Sequence, residues 1–135
     1  MTSPSFLTSS ALVALGGGLG AWLRFLTGVA WSRAIGPAAA TAFPLATLSV
    51  NVIGSLAMGL LAGWLARTGT AGEPWRLLLG VGVLGGFTTF SAFSLEFALL
   101  VERGELGTAM AYVSVSLIAG FAALFAGLFV MRAVA

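Results

Sequence analysis

No cysteine, no histidine and no lysine occur among these 135 residues. Without cysteine, disulfides and thiolate metal sites are excluded, and the redox compartment leaves no trace in the chain. Without histidine there is no imidazole to relay protons or ligate a metal. Charge is scarce too: six arginines and four acids amount to 7% of the chain, against about 25% in a soluble domain. An ordinary water-facing surface cannot be built from so little. The net charge of +2 belongs to arginines standing one or two at a time, which form no basic patch and argue against nucleic acid as a partner. What the chain has instead is apolar surface, 59% hydrophobic residues, so lipid is the solvent for most of it. The bias towards Ala, Gly, Leu and Arg fits a GC-rich bacterial genome, and the expected location is a bacterial cell membrane.

Four long apolar segments follow one another: 8–29, 44–65, 77–101 and 108–130. Each reaches the roughly 20 residues that a helix needs to cross a bilayer core about 30 Å thick. No sustained period-2 pattern marks transmembrane strands. The first segment lacks a basic region before it and is followed by a long apolar chain, so it reads as a retained helix rather than a signal peptide. The linkers, 31–43, 66–76 and 102–107, are too short for a soluble domain. The expected fold is an all-α membrane protein, one four-helix transmembrane domain over 1–135.

Gly59 with Gly63, and Gly82 with Gly86, form two G-x-x-x-G pairs that let helix backbones approach closely. Either they pack helices within one subunit or they face a second copy. Arginines alone estimate topology. The N-terminal face collects Arg67, Arg76 and Arg132. The opposite face collects Arg33, Arg103 and, if it lies near the helix end, Arg24. Three against three predicts no preferred orientation, and a subunit that inserts both ways can form an antiparallel dimer.

Polar residues inside the segments carry the remaining information. Asn51 lies mid-segment in Thr47-Leu48-Ser49-Val50-Asn51-Val52-Ile53-Gly54. An amide there must find partners, either by bonding to a neighbouring helix or by lining a pathway. Two adjacent glycines in Gly85-Gly86-Phe87-Thr88-Thr89-Phe90-Ser91-Ala92-Phe93-Ser94 weaken a helix by about 1 kcal/mol each relative to alanine. The hydroxyls beside them can satisfy freed backbone groups, so an interruption of the third helix between Gly85 and Ser91 is expected, with a continuous, closely packed helix as the alternative. Carbonyls freed there are hard oxygen ligands for a small cation. Phe90 and Phe93 share a helix face at i, i+3, and Phe87 and Phe97 extend the stripe. Such a stripe either packs against lipid and neighbouring helices or offers electropositive ring edges to an anion. Tyr112, Ser116 and Gly120 make a narrow polar stripe on the fourth helix. Arg24 is expected to snorkel to the interface and draw anions. Glu96 either pairs with an arginine, lines a vestibule or carries protons.

Gly20-Ala21-Trp22-Leu23-Arg24, the Thr47–Gly54 run, the Gly85–Ser94 block and Tyr112 with Ser116 together resemble the signature blocks of the Fluc/CrcB family of fluoride channels. The blocks come in the right order and span nearly the whole chain. The resemblance implies an antiparallel, dual-topology homodimer with two narrow fluoride pores. It implies an ion path along Asn51, Thr89, Phe90, Phe93, Tyr112 and Ser116, with Arg24 and Glu96 as vestibular charges. It also implies a structural Na+ at the dimer interface, held by the backbone carbonyls of Gly85 and Thr88. Ala92 departs from the threonine that many relatives carry and removes a hydroxyl near the aromatic pair.

The resemblance makes passive fluoride efflux the expected function, relieving fluoride toxicity; no enzymatic activity is expected. A small dual-topology multidrug exporter needs an acid in its first helix, whereas the first acid here is Glu73. A proton-coupled anion exchanger with Glu96 as the carrier is the other alternative. A membrane assembly subunit leaves the Thr-Thr-Phe-Ser block without a role.

Overall fold

The computed structural model describes residues 4–134. Among them there is no strand, and four helical spans are long and apolar enough to cross a membrane: Phe6–Ile35, Leu45–Thr68, Glu73–Glu102 and Leu106–Ala133. In the first, α1 (Phe6–Ile35), Ser5 caps the start by accepting the Thr8 amide at 3.2 Å. The helix ends at Gly36, whose φ of 83° suits glycine and stops the turn. At about 45 Å, α1 outruns a bilayer core of roughly 30 Å. It continues six residues past Val29, through polar residues that an apolar count leaves out. A short helix α2 (Pro37–Ala42) follows, then the second span α3 (Leu45–Thr68). The fourth span is α7 (Leu106–Ala133).

The third span is built in pieces. A turn α4 (Glu73–Trp75) opens it, and Arg76–Leu84 winds in wide i→i+5 turns. A last α-turn, α5 (Gly85–Phe87), leads to Thr88 and Thr89, which leave helical geometry with φ/ψ of −77°/159° and −153°/126°. Helix α6 (Phe90–Glu102) then resumes. The interruption therefore lies in the stretch where one was expected, but its cause is different. Gly85 and Gly86 stay helical, and the extended residues are the two β-branched threonines, whose stiff side chains suit strand-like backbone.

The G-x-x-x-G pairs are used inside the subunit. Gly82 and Gly86 meet Gly16 and Gly17 of α1, so a Cβ on Gly82 would come within 2.9 Å of the Gly16 Cα. Gly59 and Gly63 face α7 at Leu124 and Met131, and Gly127 answers from α7, 2.5 Å from Leu56 O when given a Cβ. Two seams result: α1 lies along the first half of the third span, and α3 lies along α7. The second half, α6, leans on α7 and α3. Tryptophans mark the two ends of the bundle, as interfacial aromatics do. Trp31 Nε1 donates to Ser49 Oγ at 3.1 Å at one end, and Trp64 and Trp75 meet edge to face at the other.

Candidate functional site

A broken helix frees backbone groups that lipid cannot satisfy, and their partners define the site. Asn51 satisfies both backbone groups of one residue: its Nδ2 donates to Thr89 O at 3.0 Å, and the Thr89 amide donates to its Oδ1 at 2.8 Å. The side chain thus stands in for a missing helical turn. Thr89 Oγ1 caps α6 by accepting the Ala92 amide at 3.2 Å, and Thr88 Oγ1 returns to Leu84 O at 2.8 Å. Gly54, three residues after Asn51, lies under the Thr88 methyl and Phe87, so the break can seat directly on α3.

The two sides of the break have opposite electrostatics. On one side the first half-helix ends in carbonyls. The Thr89 amide that would close a turn on Gly85 O is turned to Asn51, and Thr88 O accepts Arg24 Nη1 at 3.3 Å. On the other side α6 begins with the positive end of its dipole, which favours anions. Arg24 corrects the sequence expectation. It stands eleven residues before the end of α1, about 16 Å along the helix, and reaches across to the break instead of snorkelling to the edge.

From the start of α6 a line of rings descends. Phe90 is 79% exposed, its ring centroid is 5.8 Å from Phe93, and Phe93 is 5.2 Å from Tyr112, which is wholly buried. Beside Tyr112 sits Glu96. Tyr112 OH donates to its Oε2 at 2.7 Å, and Thr47 Oγ1 donates to its Oε1 at 2.7 Å. No arginine among the described residues pairs with it. A cavity of ≈ 360 Å³ opens between the break and α7, bordered by Asn51, Thr88, Thr89, Phe90, Phe93 and Ser116, with Gly120 and Phe121 further along α7. Ser116 Oγ is buried and finds no hydrogen-bond partner among the described residues. A hydroxyl left unpaired away from water costs about 1–3 kcal/mol, so an unpaired donor beside a cavity points to a polar occupant.

Asn51, Thr89, Phe90, Phe93 and Ser116 therefore border one space, and the ring of Tyr112, bonded to Glu96, follows that of Phe93. Arg24 meets the Thr88 carbonyl at the end of the first half-helix, with Gly85 one turn earlier, while Thr88 also borders the cavity. Thr47 was not singled out by the sequence as a site residue, although it sits one helical turn before Asn51 and so shares its face of α3. Phe43 was missed as well. It lies in a linker by hydropathy, yet its ring meets that of Tyr112 at 5.7 Å.

These features define a multi-pass membrane protein whose interrupted third span borders an aromatic, hydroxyl-lined cavity. The sequence matches the family described as CrcB-like protein, Camphor Resistance (CrcB), over residues 11–128. A protein of Novosphingobium aromaticivorans is 59% identical over 129 residues, 96% of this chain and 100% of its own length. One from Caulobacter vibrioides is 52% identical over 124 residues, 91% of this chain and 94% of its own, and one from Rhodospirillum centenum is 55% identical over 120, 89% and 92%. All three carry the name fluoride-specific ion channel FluC. The chain belongs to the CrcB family.

Proposed function

We propose that this chain is a fluoride-selective channel, not an enzyme, through which cytoplasmic fluoride leaves down its gradient. The observation that carries this reading is the ring series Phe90–Phe93–Tyr112, which runs from a helix N-terminus to a hydroxyl-held carboxylate, with the unpaired Ser116 donor on the cavity that Phe90 and Phe93 border. Ring edges and hydroxyls together replace the hydration of a small, hard anion where water is scarce. The names of the relatives support the same substrate. Efflux from liposomes holding the purified protein tests it: fluoride should leave far faster than chloride, and equal rates would remove the selectivity. Imposing a pH gradient should leave the fluoride rate unchanged, whereas proton-coupled exchange through Glu96, which Tyr112 and Thr47 hold by hydrogen bonds, would make the rate follow the gradient.

The channel works as an antiparallel homodimer. One subunit leaves Phe90 and Gly85 exposed and its polar break open on one side, which lipid does not tolerate and a second copy covers. With Arg24 committed to the break, the arginine count becomes three against two, still too even to fix an orientation. A structural Na+ fits between the copies. Gly85 O lacks its helical donor, and Thr88 O is turned out of the helix with a second lone pair beside the one Arg24 uses. Two carbonyls fall short of the roughly six oxygens that hard cations take, and a two-fold mate would double them. Sodium bound there would supply charge and cross-linking at the centre of the dimer.

A further inference from the structure

The aromatic series does not stop at Tyr112. Phe43, from the linker between the first two spans, places its ring 5.7 Å from Tyr112 at 82°, close to the 5.8 and 5.2 Å steps before it. Three local devices fix that ring. Pro44 disfavours helical geometry at the residue before it, and Phe43 is extended, with φ −140° and ψ 126°. Pro44 itself has φ −76° and ψ 64°, and the Leu45 amide donates to Phe43 O at 2.8 Å, an inverse γ-turn. From the other side comes Arg103. The turn around Gly104 closes α6 with Gly104 N–H on Val101 O and Glu105 N–H on Leu100 O, and it delivers the guanidinium to Thr41 O at 3.2 and 3.1 Å. A phenylalanine that merely faces lipid requires none of this.

We infer that Phe43 is the fourth ring of the ion path: beyond Glu96 and Tyr112 the anion passes along Phe43 to the membrane face that carries Arg103. The inference rests on the fluoride-channel reading. An anion that moves past the Tyr112 ring must be solvated before it meets bulk water, and the Phe43 ring, 5.7 Å from that of Tyr112, lies on that side. Arg103 stands at that face between two acids, Glu102 and Glu105, with its Nε 3.3 Å from the Glu105 carboxylate.

Fluoride efflux from liposomes, normalised to dimer content by size-exclusion chromatography, tests this with Phe43→Leu, Phe43→Tyr and Phe43→Ala, with Phe93→Ile in parallel. Replacing the aromatic edge by an aliphatic side chain in Phe43→Leu should lower flux per dimer about tenfold, whereas Phe43→Tyr keeps the ring and should stay within about twofold of the starting protein. If Phe43→Leu yields no dimer, Phe43→Met is read by the same criterion. Unchanged flux in the aliphatic variant overturns the inference, as does a gain in Phe43→Ala, which would mark Phe43 as a plug. Equal loss in Leu and Tyr overturns it too, since packing alone would then explain both. Loss in Phe93→Ile with full flux in Phe43→Leu removes only the extension. Full flux in both removes the ring path itself.

Discussion

Between Arg76 and Phe87 the third span touches its neighbours through backbone; between Phe90 and Glu102 it touches them through side chains. In the first half, glycines of the span and of α1 bring main chains together, and among the described residues nothing polar is exchanged along that seam except at its end, where Arg24 meets Thr88 O. In the second half the contacts are rings, hydroxyls and a carboxylate, arranged around a cavity. Two threonines separate the regimes. The first half is a strut whose tolerance is steric, and the second is a lining whose tolerance is chemical, so substitutions in the two should fail in different currencies: amount of folded protein in one, flux per folded dimer in the other.

The largest effect should come from the residue that joins the halves. Asn51→Ala leaves the amide and carbonyl of Thr89 without partners, at about 1–3 kcal/mol each. Both dimer yield and flux should fall, and Asn51→Asp, which keeps the acceptor and loses the donor, should fall less. Full yield and flux in Asn51→Ala would mean that the break holds itself. Next comes Tyr112→Phe, which keeps the ring and removes the donor to Glu96. Efflux per dimer should drop roughly tenfold, the equivalent of about 1.4 kcal/mol, with yield little changed. Gly82→Ala sharpens the comparison from the strut side: its Cβ would press on the Gly16 backbone, and overpacking costs about 1–3 kcal/mol. Thermal unfolding of the detergent-solubilised protein should shift downwards while the surviving dimers conduct normally. Smallest of all is Phe97→Ile. Phe97 packs on the Leu100, Ala109 and Tyr112 cluster, as Phe43 and Phe93 do, but among the described residues its ring pairs with none of the rings in the line, and a change of shape there should cost under about 1.5 kcal/mol and leave flux per dimer intact. A conduction defect in Phe97→Ile would blur the distinction between lining and packing.

Much of the fold could be read from the chain because lipid imposes a coarse rule. Four apolar runs of sufficient length must be helices, and they are. The break could be located but not explained: glycine propensity drew attention to Gly85 and Gly86, whereas the backbone leaves the helix at the β-branched pair that Asn51 can clasp from another span. Arg24 shows the limit most clearly. Hydropathy ends the first span near Val29 and so makes Arg24 an edge residue, but the helix continues through polar Trp31-Ser32-Arg33 and leaves the arginine deep beside the break. Thr47 and Phe43 escaped notice because their partners, Glu96 and Tyr112, lie far along the chain, and such pairings become visible only once the spans are packed.

The central claim is that ring edges in the second half of the third span carry the anion. Phe90→Ile and Phe93→Ile test it most directly, because each keeps an apolar side chain and removes the electropositive edge. Fluoride efflux normalised to dimer content should fall by about tenfold or more in each, with dimerisation intact, if each ring contributes on the order of 1.4 kcal/mol at the barrier. Flux per dimer equal to that of the unsubstituted protein in both variants would contradict it.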